Sequence, residues 1–196
     1  MPFSPYFCQN SKSMSSRYKV YDNYQPHFIT STVLNWMDAL SRPIYKDIII
    51  NSLNYCIQEK GLQLHAWVIM NNHFHLIASA KEGGAIAAII RDLKKFTSRQ
   101  IMDAIAQNPQ ESRKEWLMNA FSYAGRHNNN NEHFQFWQQD FHPIALTNED
   151  IYRQKMEYLH NNPVKEGIVW QPQDYKYSSA IDYYENKTGL LPLIML

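Results

Sequence analysis

Hydrophobic and polar residues repeat every second position in some stretches and at about 3.6 in others, and the changes of period divide the chain into elements. The run HFITSTVLNW from His27 is rich in β-branched and aromatic residues, which suit a pleated surface, so it predicts a first strand. Ser41-Arg42-Pro43 marks a boundary. Lys46 to Glu59 then sets Ile49, Ile50, Leu53 and Cys56 or Ile57 at helical spacing, with Gly61 just past the end where a C-cap belongs. LQLHAWVIM and HFHLIASA flank Asn71-Asn72 and predict an antiparallel hairpin, in which Met70 opposes His73 and Val68 opposes His75.

From Ala85 to about Gln107 an apolar side of Ile86, Ile89, Ile90, Leu93, Ile101 and Ile105 predicts a long amphipathic helix. Asn108-Pro109 ends it, and a further helical stretch is expected from Glu111 to about Ala120. AGRHNNNNEHF predicts a loop, and FQFWQQDFHPIAL returns to strand-like composition. Thr147-Asn148-Glu149-Asp150 supplies capping candidates and acidic first-turn residues for a helix running to about Asn161, where Pro163 stops it. Strand, helix, hairpin, helix, strand, helix is an α+β order, an antiparallel sheet with helices packed on one face. Residues 1 to 25, Ser- and Tyr-rich without either period, predict an irregular N-terminal arm, and 26–196 one domain.

Composition narrows the class. The 196 residues suit one domain, and 14% aromatic with 19% charged residues excludes disorder and coiled coil. Lys plus Arg (19) nearly cancels Asp plus Glu (18), so a nucleic-acid partner must be argued from local clusters. Two cysteines suit a reducing compartment, and no stretch reaches the roughly 18 apolar residues of a membrane span. The start MPFSPYFCQNSKS does not read as a secretory signal, so a cytoplasmic location away from membranes is expected.

His73 and His75 flank Phe74 on a strand, so the two imidazoles share one face. Taken alone, an H-x-H pair is a weak signal, and a polar strand face beside a turn is the plainer reading. In MEYLHNNPVKEGIV, Tyr158 and Asn162 stand four apart near a helix end, so a phenol and a carboxamide project together; alone, they are a packing residue and a helix terminator. His160, two residues beyond Tyr158, lies well round the helix and is expected at the surface. His127, His133 and His142 lack the spacing and the fourth ligand of a zinc site.

Together, HAWVIMNNHFHLIASA, FWQQDFHPIAL, EYLHNNPVKEGIV and DYKYSSAIDYY resemble the single-tyrosine HUH transposases, in particular the REP-associated and related insertion-sequence transposases of bacteria. The resemblance spans about His27 to Tyr184. It implies a ferredoxin-like antiparallel sheet carrying the histidine pair, with the nucleophile on a later helix packed against it, so that 26–196 is one HUH-type catalytic domain. It matches His73 and His75 to the family's metal ligands, Tyr158 to its nucleophile and Asn162 to a residue able to supply a third ligand. Proline commonly precedes the first histidine in that family, whereas Asn72 stands here, altering the turn but not the ligands.

The implied activity is metal-dependent nicking and strand transfer on single-stranded DNA, with Mg²⁺ or Mn²⁺ as cofactor and a 5′-phosphotyrosine left on Tyr158. The biological setting would be DNA transposition or the processing of repeated palindromic sequences. Single-stranded or hairpin DNA is the expected partner, and a second copy of the chain is another candidate. Arg91, Lys94, Lys95 and Arg99 line one helix side and, with Lys165, are candidate phosphate contacts, Arg126 and Lys176 being weaker ones; a solvated helix face is the plain alternative. The rival functions are a domesticated module that binds hairpin DNA or RNA without cleaving it, and a structural metal site in a protein with another task.

Overall fold

The structure is a computed structural model that describes residues 22–128, 133–139 and 141–195. Its strands are β1 (His27–Thr32), β2 (Leu62–Ile69), β3 (His73–Ala80) and β4 (Ile144–Ala145). The helices are α1 (Pro43–Glu59), α2 (Ile86–Gln107), α3 (Lys114–Arg126), α4 (Glu149–His160), the single turn α5 (Asn162–Lys165) and α6 (Ala180–Glu185). The strands form one sheet in the order β2-β3-β1-β4, every pair antiparallel, which is the ferredoxin-like α+β arrangement. Among the described residues no helix is long and apolar enough to cross a membrane.

The β2–β3 hairpin has the expected register. Val68 pairs with His75, Ile69 with Phe74, and the Met70 N–H donates to the His73 carbonyl at 2.8 Å. The chain leaving β1 braces the turn, because Val33 N–H donates to the Asn72 carbonyl and Leu40 N–H to that of Asn71, both at 2.8 Å. All eight residues of β3 are buried, so the strand is covered on both faces. On one face Phe74 meets Trp137, whose indole N–H donates to Thr97 of α2, and α1 packs on α2. On the other, His73 and His75 lie beneath α4.

Several boundaries differ from expectation for identifiable reasons. The strand from His27 stops at Thr32, and Leu34–Trp36 form a 3₁₀ turn in which Asn35 and Trp36 have φ of 51° and 58°. Pro43 opens α1 rather than only ending what precedes it, since a first-turn residue needs no N–H partner. α3 starts at Lys114 and reaches Arg126, because buried Glu111 is held in a turn by Arg42 and by the Arg113 backbone and side chain.

FQFWQQDFHPIAL is mostly irregular. Its backbone divides between neighbours: Gln135 N–H donates to Phe121 in α3, while Gln138 N–H donates to Thr32 and the Leu34 N–H to Phe136 at the end of β1. The four asparagines fall largely outside the described residues, as do residues 1–21 of the expected arm. The end of that arm is tied down, with Asn23 accepting from Ala80 N–H through its carbonyl and from Ile86 N–H, at the start of α2, through its side chain.

Pro163 does not stop the helical path. Asn161 keeps φ −80°, ψ −3°, and Lys165 N–H donates to its carbonyl, so α5 continues one further turn. The outer edge of β2 is covered. Ile69 N–H donates to Tyr177, Ser179 N–H to Trp67, and Ile194 N–H to Leu64 at 2.8 Å, while the His65 ring meets the Ile194 carbonyl.

Candidate active site

The hairpin places both imidazoles on one face of β3, with ring centroids 4.7 Å apart. Each is oriented through Nδ1: His73 donates to the Asn72 side-chain oxygen at 2.6 Å, and His75 meets Thr30 Oγ1 at 2.8 Å. An amide oxygen only accepts, so the His73 proton sits on Nδ1 and the lone pair on Nε2. His75 Nε2 is buried with no hydrogen-bond partner among the described residues, an orphan that a bound cation would satisfy. Burial holds the His73 pKa down at about 4 and that of His75 at about 3, the charges of His73 and Lys155 adding to the second shift. Both rings are therefore neutral at neutral pH, the form that ligates metals.

α4 presents the nucleophile candidate. Asn148 caps it by accepting from Ile151 N–H, with Glu149 and Asp150 in the first turn favouring the positive end of the helix dipole. Ten residues on, Tyr158 lies edge-on to His75 at 5.4 Å and to Phe28 at 5.9 Å while remaining 42% exposed. Two ammonium groups flank its ring, Lys155 at 5.8 Å and Lys165 at 5.0 Å.

Asn162 is buried at the start of α5, one helical turn beyond Tyr158. Among the described residues no three His, Cys, Asp or Glu side chains group to hold a metal, so a cation here would need oxygen donors beside the two imidazoles. A carboxamide and phosphate oxygens are such donors, and with two neutral nitrogens they suit Mg²⁺ or Mn²⁺.

The structure thus brings His73, His75 and Tyr158 together and sets Lys165 beside them. Arg91, Lys94, Lys95 and Arg99 lie apart, on the helix that covers the Phe74 face. Arg91 pairs there with Asp92, and the Lys94 ammonium reaches the Gln138 carbonyl at 2.7 Å. Arg126 closes α3, and Lys176 lies over the Tyr177 ring.

His160 is not at the surface. It is 1% exposed, and its Nε2 meets Ser179 Oγ at 2.9 Å, because the side of α4 facing away from Tyr158 packs toward the segment covering β2. Lys155 was missing from the expected set, although its position three residues before Tyr158 puts it on the same helix face. A cavity of about 220 Å³ is lined by Thr30, the partner of His75, and by Thr32, Gln138 and His142.

Comparison with known proteins bears on the fold and the family of the chain. Residues 20–124 match the family described as Transposase IS200 like. The REP-associated tyrosine transposase of Escherichia coli (strain K12) is 27% identical over 136 residues, 69% of this chain and 64% of that protein, so the match spans less than two thirds of the relative. The solved structure of a REP-associated tyrosine transposase bound to a REP hairpin superposes with a TM-score of 0.63 at 22% identity, covering 90% of both chains, a likeness of fold. The family match takes in the histidine strand and just over half of the sequence, and the chain belongs to the IS200-like transposases.

Proposed function

We propose that the protein is a metal-dependent single-strand DNA endonuclease and strand transferase, with Tyr158 as nucleophile and hairpin DNA as substrate. The observation that carries this reading is the convergence of an exposed phenol from α4 on a buried, neutral imidazole pair, 5.4 Å from the nearer ring. A divalent cation held by His73, His75 and the Asn162 carboxamide would supply positive charge at the scissile phosphate. Tyr158 Oη attacks phosphorus in line: the O–P bond forms as the bond to the 3′-oxygen breaks, the leaving oxygen becomes a 3′-hydroxyl, and the 5′-phosphate stays on the tyrosine. The proton lost by the phenol balances the one the 3′-oxygen gains.

Lys155 and Lys165 place positive charge beside the attacking group and attract the flanking phosphates. Attack by another DNA 3′-hydroxyl on the phosphotyrosine reverses the step and completes strand transfer without ATP. The supporting relatives are the E. coli REP-associated transposase and the hairpin-bound structure of the same kind.

The test uses labelled hairpin oligonucleotides from DNA flanking the gene, with Mg²⁺ or Mn²⁺ and with chelator, analysed on denaturing gels. The expected result is metal-dependent cleavage with protein attached to the 5′ end, absent in Tyr158→Phe. Binding without covalent product for every hairpin and metal would favour the non-catalytic binding module instead.

A further inference from the structure

Trp36 is an exposed aromatic held in place by Asn72, the residue that also orients His73. It is 58% exposed, whereas Trp67 and Trp137 are core residues, and its ring stands edge-on to His73 at 5.7 Å. Its backbone follows Asn35 into the left-handed region, with φ of 51° and 58° in succession, a conformation unusual for one bulky residue and more so for two neighbours in a row. The turn is held by Trp36 N–H donating to Val33 and by the Asn72 side-chain nitrogen donating to the Trp36 carbonyl at 3.3 Å. The same carboxamide accepts from His73 Nδ1, so one residue sets both the ligand ring and the indole.

Tyr158, His75, His73 and Trp36 therefore form a continuous row of rings, with centroid steps of 5.4, 4.7 and 5.7 Å. We propose that Trp36 is a base-stacking platform, taking the unpaired nucleobase of a nucleotide next to the scissile phosphate. An indole kept off the core, at the far end of a row that starts at the nucleophile, offers a flat π surface to whatever lies across the imidazoles. A base already stacked in a duplex has no free face to give it, so the platform selects single-stranded DNA.

The proposal rests on the DNA-cleaving reading above. Its test is fluorescence anisotropy with a hairpin oligonucleotide carrying single-stranded tails from the flanking DNA, alongside the same hairpin without tails. Trp36→Ala should weaken binding of the tailed hairpin about 5- to 150-fold, the range for loss of one stacked base, and leave the tailless hairpin unchanged. Trp36→Phe keeps a ring and should stay within a few-fold of wild type, which also controls for folding.

Abasic substitution along the tails should reveal one position that weakens wild type but not Trp36→Ala. Equal binding by Trp36→Ala and wild type, or no position at which the two losses fail to add, overturns the platform. If wild type cleaves the tailed hairpins and Trp36→Ala behaves identically, only the platform falls. If wild type neither binds nor cleaves them, the DNA-cleaving reading falls and takes the platform with it.

Discussion

Asn72 concentrates several roles in one side chain. Its oxygen fixes the His73 tautomer and its nitrogen holds the Trp36 carbonyl, while its backbone carbonyl braces the hairpin turn. Asn72→Ala removes the first two and keeps the third, so Mn²⁺ affinity by calorimetry should drop about 10- to 100-fold in a folded protein. An unchanged affinity would mean that His73 needs no orienting partner.

Burial also sets a pH limit. His65, His160, His73 and His75 are all held below the usual histidine range, chiefly by desolvation, with His160 at about 4. The unfolded chain takes up these protons near pH 6.5 while the fold resists them, so stability is intact above that pH and falls as pH drops toward 4. For His160 alone the loss at pH 5 is on the order of 2 kcal/mol. Urea denaturation of metal-free protein at pH 7 and pH 5 measures it, and coincident curves would contradict the burial.

At this scale the sequence was readable where chemistry follows a local period. His73 and His75 share a face by alternation, as their ring contact shows. The environment of His160 was not, because Ser179 lies 19 residues on and only the fold brings it near. Trp36 was equally hidden, since Leu-Asn-Trp continues the composition of a strand while its backbone turns left-handed.

Among the elements, α4 was the most legible and carries Tyr158, the proposed nucleophile. Its Asn148 cap and acidic first turn are sequence signals, and the cap is present as a hydrogen bond of 2.9 Å from Ile151 N–H. Asn148→Ala should cost about 1 kcal/mol in denaturant unfolding. Because the cap acts on the first turn and Tyr158 stands in the last, cleavage should persist below the unfolding transition; its complete loss would show that the whole helix moves.

Pro163 read as a stop because a proline N cannot donate, yet in the first turn of α5 no donor is needed. FQFWQQDFHPIAL read as a strand because aromatic residues dominate it. Those rings pack inward, Phe136 and Trp137 being buried, while the backbone bonds are shared between α3 and β1. Local composition reported burial correctly and could not report which partners the backbone finds.

For the whole molecule, β3 separates two environments: on one side α2 and an apolar layer, on the other the imidazoles, α4 and the lysines beside Tyr158. With a formal net charge of +1 the overall field is weak, and the positive charge beside Tyr158 is local, from Lys155 and Lys165. The antiparallel sheet and its hairpin were foreseeable from the alternation of periods, but the strand order and the covering of the β2 edge were not, because their partners come from far along the chain.

Removing the chain after Gly189 would expose the Leu64–His65 end of that edge, Tyr177 and Ser179 still covering the other end, together with the cavity left by Leu191, which is 2% exposed. The variant should lose about 2 kcal/mol from the leucine alone and should self-associate, as denaturation and light scattering would record. An equally stable, monodisperse protein would show that the tail merely rests on the sheet.

The covered edge also has a consequence in time. His65 and its partner Ile194 are 129 residues apart, so a ribosome finishes β2 long before it makes the segment that closes it. At about 5 to 20 residues per second, the nascent sheet keeps an open strand edge for roughly 6 to 26 seconds. Folding then includes the docking of a late segment onto an early strand, and the hazard during synthesis is mispairing of that edge with a neighbouring nascent chain.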